Sequence, residues 1–241
     1  MRGMTGSTAL VTGATGGIGL HIARQLADQG WHVLLGVRDE TRGAGVAAQF
    51  GGRPLLLDVT DAGSIARAAA LVPELDVLVN NAGISLDTGT RVTDTDVEVF
   101  RRTYETNVFG VVAVTNAFLP ALRRSVHPRI VNVSSGTGSL TWSTGPNPQF
   151  DYQAAGTGSG AAYRSSKTAL NAVTVFYAQA LAGFRVNALA PGLRATNLNP
   201  RAAAAGGDPA EAAAGVVRLA LLPDDGPTGQ LFSWDGTVVP W

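Results

Sequence analysis

Residues 9–30 read ALVTGATGGIGLHIARQLADQG. The opening ALVTG (9–13) is an apolar run with the character of a buried strand. The closing GGIGLHIARQLADQG (16–30) spaces its apolar residues as an amphipathic helix and stops at Gly30. Between them lies TGATGGIG (12–19), a glycine-rich turn that leaves a strand and enters a helix. That context separates a phosphate cradle from a merely flexible turn. Gly13 permits the tight turn, and Gly16 or Gly17 lets backbone approach a pyrophosphate over the helix N-terminus. Gly19 lets helix and strand pack closely. Thr15 and Ile18 complete the turn as further cofactor contacts.

The same alternation continues outward. HVLLGV (32–37), RPLLLDV (53–59), LDVLVNNAG (75–83), RIVNVSS (129–135), FRVNALAPG (184–192) and GQLFSW (229–234) read as strands. Helical patterns separate them: to about residue 50, then 61–72 with Asp61 as N-cap, 96–125 with Pro120 near its end, 161–182 and 208–221. Continuously apolar strands between helices predict a parallel sheet covered on both faces. The expected fold is α/β, a single doubly wound Rossmann-type domain over 1–241 with a parallel seven-stranded sheet. Residues 136–160, GTGSLTWSTGPNPQFDYQAAGTGSG, stand apart as a Gly-, Ser- and Pro-rich inserted loop, longer than most ordered connections.

Composition narrows the function. The 241 residues carry zero formal net charge and no cysteine. Basic residues never run longer than two, which argues against a nucleic-acid surface or an anionic-membrane anchor. Disulfides and thiol chemistry are excluded. The histidines, His21, His32 and His127, stand singly without metal-ligand spacing, so no metal is expected. No signal-peptide run or bilayer-length stretch is visible, so a cytoplasmic location is expected.

The end of the second strand bears on the choice of nicotinamide. An acidic residue there would favour NAD; here GVRD places Arg38 where it can pair with a 2′-phosphate. Asp39 follows and would weaken that preference. NADP(H) is therefore expected, with NAD(H) as the alternative. Asp58 at the end of the third strand is placed to bond an adenine amino group, beside Val59.

One further signal is chemical. Of the 18 Lys and Arg residues a single one, Lys167, is lysine, and it follows Tyr163 by four positions in YRSSK. Residues i and i+4 share a helix face. An ammonium about 4 Å from a phenol, at an effective dielectric near 20, favours the phenolate by about 4 kcal/mol. That is about three pK units, enough to bring a tyrosine towards the range of a general acid at neutral pH.

Taken together, TGATGGIG (12–19), LDV (57–59), NNAG (80–83), Asn107 in ETNVFG, IVNVSS (130–135), YRSSK (163–167) and PGLRAT (191–196) resemble the short-chain dehydrogenase/reductase family, in its single-domain branch. They occur in family order from residue 12 to 196. The C-terminal 218–241 is further similar to the carbonyl-reductase group. The resemblance implies that Tyr163 protonates the substrate oxygen and that Lys167 also bonds the nicotinamide ribose. Ser135 holds the developing alkoxide, with Ser134 as the fallback, and Asn107 binds a water linking Lys167 to solvent. Asn81, Ala82 and Gly83 leave the fourth strand beside the cofactor. Pro191, Gly192 and Thr196 match the segment that contacts the carboxamide.

The departure is the interval from Ser135 to Tyr163, 28 residues (163 − 135), much longer than in most relatives; the carbonyl-reductase group also carries an insert there. A substrate-shaping loop and a monomer are expected, with a homodimer as the alternative. Trp142, Phe150 and Tyr152 would either wall the pocket or pack the insert onto its own domain. The short alanine-rich stretch after Thr196 suggests an open pocket. The expected function is an NADPH-dependent carbonyl reductase acting on a small-molecule ketone or aldehyde. Its rivals are a 3-oxoacyl-thioester or polyketide ketoreductase, a sugar-nucleotide epimerase lacking its second domain, and a non-catalytic NADP-binding sensor.

Overall fold

The computed structural model describes residues 6–147 and 158–241. Eight strands form one sheet: β1 (Thr8–Thr12), β2 (His32–Val37), β3 (Arg53–Leu56), β4 (Val77–Asn80), β5 (Arg129–Val133), β6 (Arg185–Ala190), β7 (Leu231–Ser233) and β8 (Val238–Val239). Their order is β3-β2-β1-β4-β5-β6-β7-β8. The first seven pair in parallel, and β8 returns antiparallel on β7. The expected seven-stranded parallel sheet thus gains an antiparallel edge. Two residues, with Val238 61% exposed, are too short to show a period in sequence.

The helices are α1 (Gly17–Asp28), α2 (Glu40–Ala47), α3 (Ala62–Ala70), α4 (Val97–Tyr104), α5 (Gly110–Leu122), α6 (Leu140–Thr144), α7 (Ala161–Ala180), α8 (Pro200–Ala205) and α9 (Pro209–Ala220). They lie on both sheet faces, because alternate residues of a strand point opposite ways. Ala9 and Val11 meet Ile22 and Leu26 of α1 and Val216 of α9 on one side. Leu10 meets Ile65 of α3 and Phe118 and Leu122 of α5 on the other. Asp61 caps α3, accepting the N–H groups of Gly63 at 2.7 Å and Ser64 at 3.2 Å, as its position before an apolar run predicts.

The chain departs locally from expectation in two places. The helix expected over 96–125 is broken by a π-helical turn, Glu105–Phe109, between α4 and α5; Asn107 sits in it. Such bulges often mark functional positions. The insert begins with a short 3₁₀ turn (Gly136–Gly138) and then α6. Trp142 of α6 packs on Ala188, Ala190, Leu231 and Val239. Of the two readings open for Trp142, wall or packing, it therefore takes packing, while Phe150 and Tyr152 lie outside the described residues.

Strand order reverses between β1 and β4. In open α/β sheets the crevice beyond the carboxyl ends of the strands at that point receives ligands.

Candidate active site

At this reversal Thr12 does the tying. Its hydroxyl accepts the N–H groups of Asn81 and Ala82, each at 3.0 Å, and donates to the Val79 carbonyl at 3.4 Å. Asn81 answers by donating its amide to the carbonyls of Thr12 at 2.9 Å and Gly13 at 3.2 Å. The glycine turn and the exit of β4 are thereby one unit. Gly19 sits against it, and a Cβ there would lie 2.5 Å from the Gly13 carbonyl oxygen and overlap the Asn81 amide. Gly16 differs. Its φ of −177° is ordinary extended backbone, and a Cβ there would meet nothing within 4 Å.

Two adjoining cavities, of about 260 and 360 Å³, run along the crevice. Thr15, Arg38, Arg42, Ala82 and Gly83 line both. The smaller one continues to Gly13, Asp58 and Val59. The larger one continues past Gly16, Gly17, Ile18, Gly19 and Asn81 to Tyr163, Lys167, Pro191 and Thr196. Gly192 does not reach it; with φ +70° it turns the chain beside Trp234. A nicotinamide dinucleotide fits this donor set. The open backbone of Gly16 stands at the N-terminus of a 12-residue helix, where N–H groups and the helix dipole favour a pyrophosphate.

Asp58 and Asp39 behave differently from each other. Asp58 is half-buried, and its Oδ1 accepts both the N–H (2.9 Å) and the hydroxyl (2.8 Å) of Thr60. Burial alone would raise its carboxyl, but the two Thr60 bonds and the nearby Arg38 hold it below the usual carboxylate range. It stays ionised and presents an acceptor to the smaller cavity. Asp39 is the N-cap of α2, accepting the Arg42 N–H at 3.0 Å. That cap turns Arg42 towards the crevice beside Arg38. Arg42 escaped the sequence reading because which way a first-turn side chain faces depends on the cap.

At the other end, Lys167 is buried in α7 and its Nζ donates to the Val133 carbonyl at 2.8 Å. The same Nζ lies 5.7 Å from the Tyr163 ring centroid. Burial pushes the ammonium down to about 8, which makes it a readily exchangeable proton. Asn107 is fully buried and its side chain is spent: Oδ1 accepts the Ile84 N–H at 2.9 Å, while Nδ2 donates to the Ile84 carbonyl at 2.9 Å and to Ser166 Oγ at 3.0 Å. A Cβ on Gly83 would stand 3.3 Å from Asn107 Oδ1 and 3.6 Å from Lys167 Nζ, so the three converge. The two serines diverge. Ser134 is buried and donates to Asn171 Oδ1 at 2.6 Å. Ser135 is half-buried, shares a 2.9 Å hydrogen bond with the Thr137 hydroxyl and accepts the Thr137 N–H at 3.2 Å. The neighbouring Gly138 seats the start of the insert on α7, where its carbonyl accepts the Thr168 hydroxyl at 2.9 Å.

Beyond Pro191 the chain folds back over the crevice. Thr196, Asn197 and Leu198 line the larger cavity, and a Cβ on Gly17 would lie 3.1 Å from Thr196 Cγ2. Thr196 thus sits directly over the glycine turn. Its two ends are pinned together by a bridge between Arg194 and Gly207. Buried Arg194 donates to the Pro191 carbonyl at 2.6 Å, pairs with Glu211 at 2.5 Å and stacks 4.3 Å from the Trp234 ring.

Among the described residues no helix is long and apolar enough to cross a membrane. The family model for short chain dehydrogenases matches residues 7–148. The (-)-isopiperitenone reductase of Mentha piperita is 33% identical over 94% of this chain and 96% of its own. A (+)-neomenthol dehydrogenase of Arabidopsis thaliana is 34% identical over 93% of this chain and 95% of its own. The structure of salutaridine reductase from Papaver somniferum superimposes with a TM-score of 0.79 at 29% identity, covering 93% of this chain and 99% of that one. With the cradle, the crevice and these likenesses in agreement, the chain belongs to the short chain dehydrogenase family, the nicotinamide-dependent oxidoreductases of carbonyl and alcohol groups.

Proposed function

We propose that the protein is an NADPH-dependent reductase of small ketones or aldehydes, working reversibly on the corresponding alcohols. The observation that carries this reading is a single crevice with two arginines, Arg38 and Arg42, at one end and Tyr163 with Lys167 at the other. The name of one relative, a dehydrogenase of neomenthol, supports a carbonyl–alcohol couple on a compact carbon skeleton.

The glycine turn and the N-terminus of α1 would hold the pyrophosphate, Asp58 the adenine, and Arg38 with Arg42 the 2′-phosphate. Lys167 would reach the nicotinamide ribose. The bound cofactor supplies a hydride to the carbonyl carbon. Tyr163 gives its hydroxyl proton to the carbonyl oxygen, so the product is the neutral alcohol. Ser135 donates a hydrogen bond to that oxygen while it carries negative charge. Ser134 lines the larger cavity but donates to Asn171, whereas the Ser135 hydroxyl shares its bond only with neighbouring Thr137 and would turn to the substrate for this role. Lys167 lowers the cost of tyrosinate by its charge, and a proton entering from the side of Asn107 and Gly83 would restore the Tyr163 hydroxyl after each turnover.

Oxidation of NADPH and of NADH, followed in parallel against a panel of ketones, aldehydes, quinones and a 3-oxoacyl thioester, tests the reading. Turnover of free carbonyls with NADPH preferred supports it; preference for the thioester would move the assignment to the acyl ketoreductases. A charge-assisted hydrogen bond contributes about 1.5–3 kcal/mol. Arg38→Ala and Arg42→Ala are each therefore expected to raise the KM for NADPH by about 10- to 100-fold and to leave that for NADH within about 2-fold. Equal effects on both cofactors would remove the 2′-phosphate from these arginines.

A further inference from the structure

Helix α7 carries Tyr163 in its first turn, yet it begins without a local cap. Gly160 occupies the N-cap with φ +72° and no side chain to offer. The N–H groups of a first helical turn have no partner within the helix and must find one elsewhere. Here the partner comes from 75 residues upstream. Asp87 Oδ2 accepts the Ala162 N–H at 2.7 Å and Asp87 Oδ1 accepts the Tyr163 N–H at 3.3 Å.

Asp87 is only 2% exposed. A carboxylate so deep needs compensation, and among the described residues none of the ion pairs includes it. Its compensation is the pair of N–H groups and the positive end of the helix dipole. The contact does not stand alone. The Thr90 carbonyl accepts the Gly160 N–H at 3.3 Å, and Val92 lies 3.3 Å from the Cβ position of Gly158.

The stretch bearing Asp87 is also the continuation of β4. It passes Asn81, which clamps the glycine turn, then Ala82 and Gly83 in the crevice wall, then Ile84, which Asn107 grips through both its N–H and its carbonyl. Within seven residues the chain goes from the cofactor cradle to the backbone of the tyrosine. The spacing between cradle and tyrosine is thus set by a short, doubly anchored strap. We propose that Asp87 is a positioning residue that fixes the register of Tyr163 over the crevice by capping α7 from the β4 strap. This rests on the reading of Tyr163 as the proton donor.

The test uses the full chain, NADPH and the best carbonyl substrate of the panel, with Asp87→Ala and Asp87→Asn each made in the wild-type and Tyr163→Phe backgrounds. A misplacement of about 1 Å costs on the order of 100-fold in rate. Asp87→Ala should therefore lower kcat about 100-fold, while the dissociation constant for NADPH, measured without substrate, stays within about 2-fold. Asparagine keeps one acceptor for two N–H groups, so Asp87→Asn should lower kcat about 10-fold. On the residual rate of Tyr163→Phe, both changes should cost less than about 3-fold, since no hydroxyl remains to be aimed. Wild-type kcat in Asp87→Asn, or the same loss with and without the tyrosine hydroxyl, would overturn the proposal; where Asp87→Ala does not fold, the Asp87→Asn cycle decides. Failure of the two readings looks different. Full turnover by Tyr163→Phe removes the proton donor itself, whereas an inactive Tyr163→Phe beside an unaffected Asp87→Asn removes only the positioning role.

Discussion

Replacing Lys167 with methionine should nearly abolish turnover and remove a pH-dependent penalty on folding. The first effect follows from general acid catalysis, which contributes about 10²- to 10⁴-fold; without the ammonium the tyrosinate charge loses the cation 5.7 Å from its ring centroid. The second follows from burial. The folded-state lysine sits at about 8 against an ordinary 10.5, so between those values the unfolded chain binds the extra proton and stability rises with pH. Below pH 8 the full cost of keeping the ammonium buried is present, up to about 3 kcal/mol. Above 10.5 it is gone. Methionine has no such cost at any pH but leaves the Val133 carbonyl without its donor, a loss of about 1–3 kcal/mol. The variant should thus melt at or above the wild-type temperature at pH 7 and below it at pH 10.5. At about 2–4 °C per kcal/mol the difference swings by up to about 12 °C. Thermal melts of both proteins at the two pH values check this, and a constant difference would show that Lys167 titrates alike in the folded and unfolded chains.

Gly19→Ala should unseat the cofactor cradle, and Gly16→Ala should fill it. At Gly19 the new methyl group meets the Gly13 carbonyl at 2.5 Å and the Asn81 amide; backbone cannot retreat as a side chain can. Overpacking of this kind costs about 1–3 kcal/mol, which corresponds to a fall in Tm of about 2–12 °C. Because the atom displaced is part of the turn, NADPH affinity should fall about 100-fold as well, on the order of one misplaced binding element. Gly16 has room and ordinary dihedrals, so its alanine variant should keep the wild-type Tm and lose affinity alone, its methyl standing in the crevice. Calorimetric melts and NADPH titration of the two variants separate these cases. Equal Tm values for Gly19→Ala and wild type would mean that the Asn81 clamp gives way freely.

What could be read from the chain before its structure was whatever depends on near neighbours in sequence. Continuous apolar runs place β1 to β7 because strands buried on both faces cannot hide their composition. Asp61 announces α3 because a cap acts over three residues. The pair Tyr163–Lys167 is visible because helical spacing puts both on one face. What stayed hidden depends on pairs far apart. Asp87 reaches Tyr163 across 76 positions, and no local pattern marks it as a cap. For Trp142 the sequence left a pocket wall and packing onto the domain equally open, and the choice is made by neighbours on β6, β7 and β8. Thr12 escaped notice for the same reason, since its partners lie on β4.

The bridge between Arg194 and Gly207 bears on how such a protein can change its diet without changing its skeleton. The segment between the two anchors enters and leaves the fold at a single clasp held by Glu211, Pro191 and Trp234. Flexible residues added to a loop closed in this way cost only about 0.6 kcal/mol per doubling of its length. The roof over the crevice is therefore a replaceable cassette. Inserting a flexible stretch at exposed Asn197, ahead of α8, should leave the melting temperature within about 3 °C of wild type while changing which carbonyls of the panel are turned over. A collapse of the fold on such grafting would show that the roof, and not the clasp beneath it, holds this corner together.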